Sequence, residues 1–117
     1  MKKLTAIVMA ATLLISASSA FAIGAIAVDD QVGDTDPGFG VATGYDNESE
    51  AKGAAMKFCR EQGNKCEVVG WFKTCGAYVS SKSDSGYGFG ATKETAIAKA
   101  KDTCGSAKCK VIVAECE

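Results

Sequence analysis

The chain has 117 residues, 47% of them hydrophobic, with 13 basic and 14 acidic side chains and no histidine. Without histidine, nucleophilic catalysis of the Ser-His or Cys-His kind is excluded, and the usual zinc ligand spacings are missing because there is no C-x-x-C pair either. The near-balanced charge makes no basic stripe of the kind that binds nucleic acid.

Residues 1 to 22 read as a secretory signal peptide. Lys2 and Lys3 give a charged start, Leu4 to Ile15 an apolar run, and Ala20 and Ala22 the small side chains a signal peptidase accepts before its cut. The run is shorter than the about 20 residues a membrane-spanning helix needs, and Ser16, Ser18 and Ser19 interrupt any extension. Cleavage after Ala22 leaves residues 23 to 117 as a single secreted domain, in the periplasm or outside the cell, with no membrane insertion. A domain of this size is near the limit at which a hydrophobic core alone suffices.

That domain reads as two copies of one unit, repeat one over residues 24 to 75 and repeat two over 76 to 116. Gly24-Ala25-Ile26-Ala27-Val28 opens the first and Gly76-Ala77-Tyr78-Val79-Ser80 the second. Gly38-Phe39-Gly40 matches Gly86-Tyr87-Gly88. Lys65-Cys66-Glu67-Val68-Val69 matches Lys108-Cys109-Lys110-Val111-Ile112, and Cys75 and Cys116 close the copies. Each unit predicts strand, glycine-rich turn, strand, helix, tight loop, strand: an α+β fold of two pseudo-repeats of strand-strand-helix-strand packed as one small disulfide-stapled domain.

Asn47 and Thr92 are suited to cap the two helices, and Glu50 adds a capping-box partner to Asn47. Ala51, Ala55 and Cys59, like Ala96, Ala100 and Cys104, recur every four residues on one narrow helical face, whose small side chains predict close approach to a sheet. Val68 to Phe72 and Val111 to Ala114 are β-branched or aromatic runs of strand length. The glycines around Phe39, Tyr87 and Phe89 are expected to break strands into short, bent pieces.

All 6 cysteines fall in the exported part, the usage of a disulfide framework. The tight loops favour Cys59 with Cys66 and Cys104 with Cys109. Cys109 and Cys116 lie seven apart in a strand and so face opposite sides, which leaves Cys116 for its repeat mate Cys75, a bridge expected to tie the two copies together. Six cysteines allow fifteen connectivities, so the spacing favours this set without excluding others.

Charge is split along the chain: residues 23 to 50 hold seven acids and no base, and residues 51 to 117 hold eleven bases and seven acids. Asp29, Asp30, Asp34 and Asp36, with Gly33 and Gly38, form the acidic cluster. Such oxygen-rich loops suit calcium, but the spacing is not that of an EF-hand and the same residues are ordinary turn formers. No cofactor or metal is expected, and the cluster is read as an exposed contact patch for a basic partner. Tyr87 and Phe89 are two apart and share a face, with core the favoured use for both and for Trp71. Phe39 and Tyr45 lie beside glycines on predicted turns. Phe39, Tyr45, Tyr87 and Phe89 form the second set of contact candidates.

The opening Gly-Ala-Ile-Ala-Val, the alanine-rich helix ending in Cys59, the short loop to Cys66-Glu67-Val68-Val69, and Cys75-Gly76-Ala77 opening a second copy resemble a family of secreted bacterial proteins known only as a domain of unknown function. The resemblance covers essentially residues 24 to 116. Many members have an aromatic residue where this chain has Ile23, and the stretch from Asp29 to Pro37 is additional here. The resemblance implies a compartment and a fold type but no chemistry. The layout is also similar to secreted protein inhibitors of β-lactamases, in architecture alone.

The functional expectation is a non-enzymatic, exported protein-binding module, monomeric or weakly dimeric, with an unknown protein partner. A proteinaceous inhibitor or immunity protein against an enzyme or toxin is the alternative, its acidic loop entering a cationic cleft. A small hydrolase using paired carboxylates is the third reading.

Overall fold

The computed structural model describes residues 22–30, 36–63 and 65–117. All but the last residue of the expected signal peptide, and Gly33 and Asp34 of the acidic cluster, lie outside them. The elements are β1 (Ile23–Asp29), β2 (Gly38–Tyr45), α1 (Glu48–Arg60), β3 (Glu67–Phe72), β4 (Cys75–Ser80), β5 (Ser85–Gly90), α2 (Lys93–Cys104) and β6 (Lys110–Cys116). They form a small α+β domain of two antiparallel three-stranded sheets, ordered β2-β1-β3 and β5-β4-β6. No helix among the described residues is long and apolar enough to cross a membrane.

Side-chain size sorts the layers. In β1, Ala25 and Ala27 face α1, while Ile26 and Val28 face the second sheet. In β4, Ala77 and Val79 face α2 and Tyr78 faces the first sheet. Both central strands are therefore buried on two faces, which is why they read as nearly unbroken apolar runs. The outcome is helix, sheet, sheet, helix, with Ile26, Val28, Phe72, Tyr78 and Val113 buried between the sheets. Phe72 is the largest fully buried side chain, and its ring fills the space left by Gly24 and Gly76 on the two central strands.

The helices lie where their caps and alanines place them. Asn47 accepts from the amide of Glu50 at 2.8 Å and Thr92 from that of Thr95 at 3.1 Å. Gly105, with φ of 73°, ends α2 in the left-handed conformation that favours glycine. Ala51, Ala55, Ala96 and Ala100 are fully buried.

The glycines flanking Phe39 and Tyr87 do not break strands. β2 runs unbroken for 8 residues and β5 for 6, and Phe39 and Tyr45 lie within β2, not on turns. A Cβ at Gly40 would collide with the α1 backbone at Ala55 and Cys59, one at Gly86 with the α2 backbone at Ala100 and Cys104, and one at Gly88 with that at Ala96 and Ala100. These glycines are where helix and strand backbones touch.

The three bridges are Cys59–Cys66, Cys104–Cys109 and Cys75–Cys116, and no described cysteine is free. The third does not tie the two halves together as expected. Cys75 is the first residue of β4, and its register partner on β6 is Cys116, so the bridge staples two neighbours of one sheet. The reason is the turn at Lys73 and Thr74, which places Cys75 after the first half and opposite the chain's last strand. Burial between the sheets, with the hydrogen bonds described below, holds the halves together.

Candidate functional site

The acidic cluster turns partly inward. Asp29 ends β1 and its Oδ2 accepts from the Lys65 amide at 3.2 Å. Asp30 reaches across to the second sheet, where its Oδ2 accepts from the Tyr78 hydroxyl and, at 2.9 Å, from the Ser80 hydroxyl. Burial first, and then the hydrogen bond to Asp30, push the Tyr78 phenol up from 10.0 to about 12. Asp36 pairs with the Lys110 ammonium at 2.8 Å, both side chains being largely exposed. Asp30, Asp36, Ser80 and Lys110 line a cleft of about 430 Å³ with Ser81, Lys82, Ser83 and Lys108. Its charge is mixed, so the described acids do not form the negative patch expected of them. Among the described residues no three His, Cys, Asp or Glu side chains are grouped to hold a metal ion.

The four candidate aromatics divide. Phe39 packs between the sheets and Tyr45 against the α1 layer. Tyr87 crosses from β5 to the first sheet: its ring covers Gly70, which has no Cβ to obstruct it, and its hydroxyl donates to the Trp71 carbonyl at 2.8 Å. Burial raises its phenol well above the usual tyrosine range. Phe89, two residues on and with its centroid 6.5 Å from that of Tyr87, is 58% exposed. The structure thus pairs the rings of Tyr87 and Phe89, packs Phe39 and Tyr87 against the same core between the sheets, and leaves Tyr45 on the α1 side.

Phe89 lines a cleft of about 500 Å³ formed where β3 turns into β4 and β5 meets α2. Trp71, Phe72 and Cys75 line it with Phe89, Lys73 and Lys99. The Lys99 ammonium lies 5.5 Å from the Phe89 ring centroid, within reach of a cation–π contact. The sequence holds the cause: Gly88 lets α2 lie directly on β5, against the backbone of Lys99, which seats that lysine beside Phe89.

Sequence reasoning missed Lys73 and Lys99 as site residues; Trp71, read as core, does pack against the α1-side core while half-buried, and it also lines this cleft. The Lys99 signal was available in part, because the buried face Ala96–Ala100 fixes which neighbours border the sheet. That Lys73 and Lys99 share a cleft depends on the sheet-to-sheet packing.

The fold and the bridges define a small α+β domain stapled by three disulfides, the chemistry of an oxidising, extracellular environment. A family model described as "Domain of unknown function (DUF4189)" matches residues 23–116, and the chain belongs to that family. No curated protein and no solved structure matches the chain.

Proposed function

We propose that this chain is an exported, non-catalytic protein-binding module of the periplasm or extracellular space, monomeric or weakly dimeric, which meets its partner through Phe89 and the cleft beside it. Phe89 carries the reading. A domain this small has few aromatics to spare, yet this one is left 58% exposed on a frame that holds it rigidly. Tyr87 locks its strand to the first sheet, and α2 lies on the backbone just before it. An exposed aromatic anchor beside an apolar cleft is the usual centre of a binding surface.

Export is supported by the charged, apolar and small-residue succession of residues 1 to 22 and by the three disulfides. The family match begins at residue 23, where cleavage after Ala22 would start the mature chain.

The mature chain is also read as a duplication. Supporting this, each half runs strand, strand, helix, strand, and the first strand of each half is the centre of its sheet. The matched glycines Gly40 and Gly88 both meet a helix backbone, and the matched bridges Cys59–Cys66 and Cys104–Cys109 both link a helix to the segment after it. The inhibitor or immunity reading drew on an acidic loop. With Asp30 bonded to Tyr78 and Ser80, and Asp36 paired with Lys110, contact through Phe89 is favoured over that loop.

The test is affinity capture from the producing cell's envelope fraction and culture medium, using oxidised residues 23 to 117 and their Phe89→Ser variant. A partner retained by the unmodified domain and lost from the variant is expected. Equal retention by both, or none by either, overturns the reading.

A further inference from the structure

We propose that the cleft between Trp71 and Phe89 receives an acidic segment of a partner protein bearing an apolar side chain, the apolar group entering the cleft and the flanking carboxylates meeting Lys73 and Lys99. This rests on the protein-binding reading above and adds the partner's chemistry.

The cleft, at about 500 Å³, is large enough for a leucine or phenylalanine side chain with its adjoining backbone. Its surfaces are apolar and fixed. Phe72 is 1% exposed and Cys75 3%, and Cys75 is tied to Cys116 on the neighbouring strand. Trp71 and Phe89 form the walls. A preformed cleft of this kind avoids most of the ordering cost of association.

Charge selects the occupant. Lys73 and Lys99 line the cleft, no Asp or Glu does, and neither lysine is paired with a carboxylate among the described residues. This is a local positive site on a chain whose formal net charge is -1. Asp102 lines a separate groove of about 320 Å³ with Tyr87, Phe89, Thr103 and Lys99, so Lys99 borders both grooves and Lys73 only the Trp71 cleft. The Trp71 cleft is thus bordered by two lysines and no carboxylate, while the neighbouring groove has one lysine and Asp102, and an acidic segment is drawn to the Lys73 side. Exposed lysines contribute chiefly to association rate and to rejection of basic segments.

Trp71 is the chain's 1 tryptophan, so its emission reports directly on the cleft. The oxidised domain is titrated with three blocked peptides: Glu-Asp-Leu-Phe-Asp-Glu, Lys-Lys-Leu-Phe-Lys-Lys and Glu-Asp-Ser-Gly-Asp-Glu. A saturable shift of Trp71 emission is expected with the first, with binding at least about tenfold weaker for the other two. Added salt is expected to weaken the first interaction. The double variant Lys73→Glu, Lys99→Glu, checked for an unchanged circular dichroism spectrum, is expected to lose the first peptide and gain the second. Equal binding of the first two peptides by the unmodified domain, or no inversion in the variant, overturns the charge preference while leaving a protein-binding cleft. No Trp71 response to any of the three overturns the cleft proposal, and the capture experiment then reads the module separately.

Discussion

The Tyr78 hydroxyl donates to the Asp30 carboxylate, joining the end of β1 in one sheet to the middle of β4 in the other. Ser80, 4% exposed, donates to the same Oδ2. A carboxylate that sequence reasoning assigned to an outside partner is thus part of the joint between the sheets.

Asp30→Asn is therefore expected to destabilise the domain by about 1–3 kcal/mol, because it weakens a charge-assisted acceptor shared by two donors that are otherwise buried. Asp36→Asn, which removes only an exposed pair with Lys110, is expected to cost about 0–1 kcal/mol. Urea denaturation midpoints of the two variants, compared at equal m-value, decide the order.

Alkaline stability follows from the same joint. The Tyr78 phenol is raised in the fold from 10.0 to about 12, so between these values the folded protein holds a proton that the unfolded chain has released. Stability from this group is present below pH 10 and is lost as pH rises through about 12. Tyr87, raised by burial, adds to the loss in the same direction. Phenolate absorbance of these two tyrosines is expected to appear together with loss of near-ultraviolet circular dichroism. Tyr78→Phe is expected to flatten the decline across this pH range while lowering stability at neutral pH.

At the helix–sheet contacts, Ala55→Leu and Ala100→Leu are each expected to cost about 1–3 kcal/mol by overpacking. Gly88→Ala is expected to be destabilising as well, because its Cβ would strike the α2 backbone at Ala96 and Ala100. Thermal melts of the oxidised proteins test all three, with near-neutral midpoints contradicting the assignment of these faces.

How far the sequence carried can be judged at particular residues. Four-residue spacing of Ala51, Ala55 and Cys59 was enough to orient α1, because burying the small face of a capped helix on a sheet is a local problem. The same holds for the bridges Cys59–Cys66 and Cys104–Cys109, which close short loops. Cys75–Cys116 was found by elimination, yet its role was misread, since whether Cys75 closes one half or opens the next depends on a turn with no glycine or proline to mark it. The glycines of β2 and β5 were legible as unusual. Their meaning was not, because a glycine that bends a strand and one that admits a helix look alike until the helix is placed. Phe89 differs from Tyr87 in nothing local: Tyr87 is covered against Gly70 of the other sheet, whereas Phe89 faces the open cleft beside Trp71 of that sheet and stays 58% exposed.

Non-reducing peptide mapping is expected to recover the three bridges as described, with no free thiol. Replacing Cys75 and Cys116 together by serine is expected to lower stability by about 2–4 kcal/mol while leaving the two helix-linked bridges intact, since it frees only the β4–β6 pair.

The central claim, that Phe89 is a contact surface and not unfinished core, is tested most directly by photo-crosslinking in the producing cell. A benzophenone amino acid is placed at position 89 and, as a control, at position 111, where Val111 is 41% exposed on β6. The account predicts a discrete protein adduct on irradiation from position 89 and none from position 111. No adduct at position 89, or the same adduct at both, would contradict it.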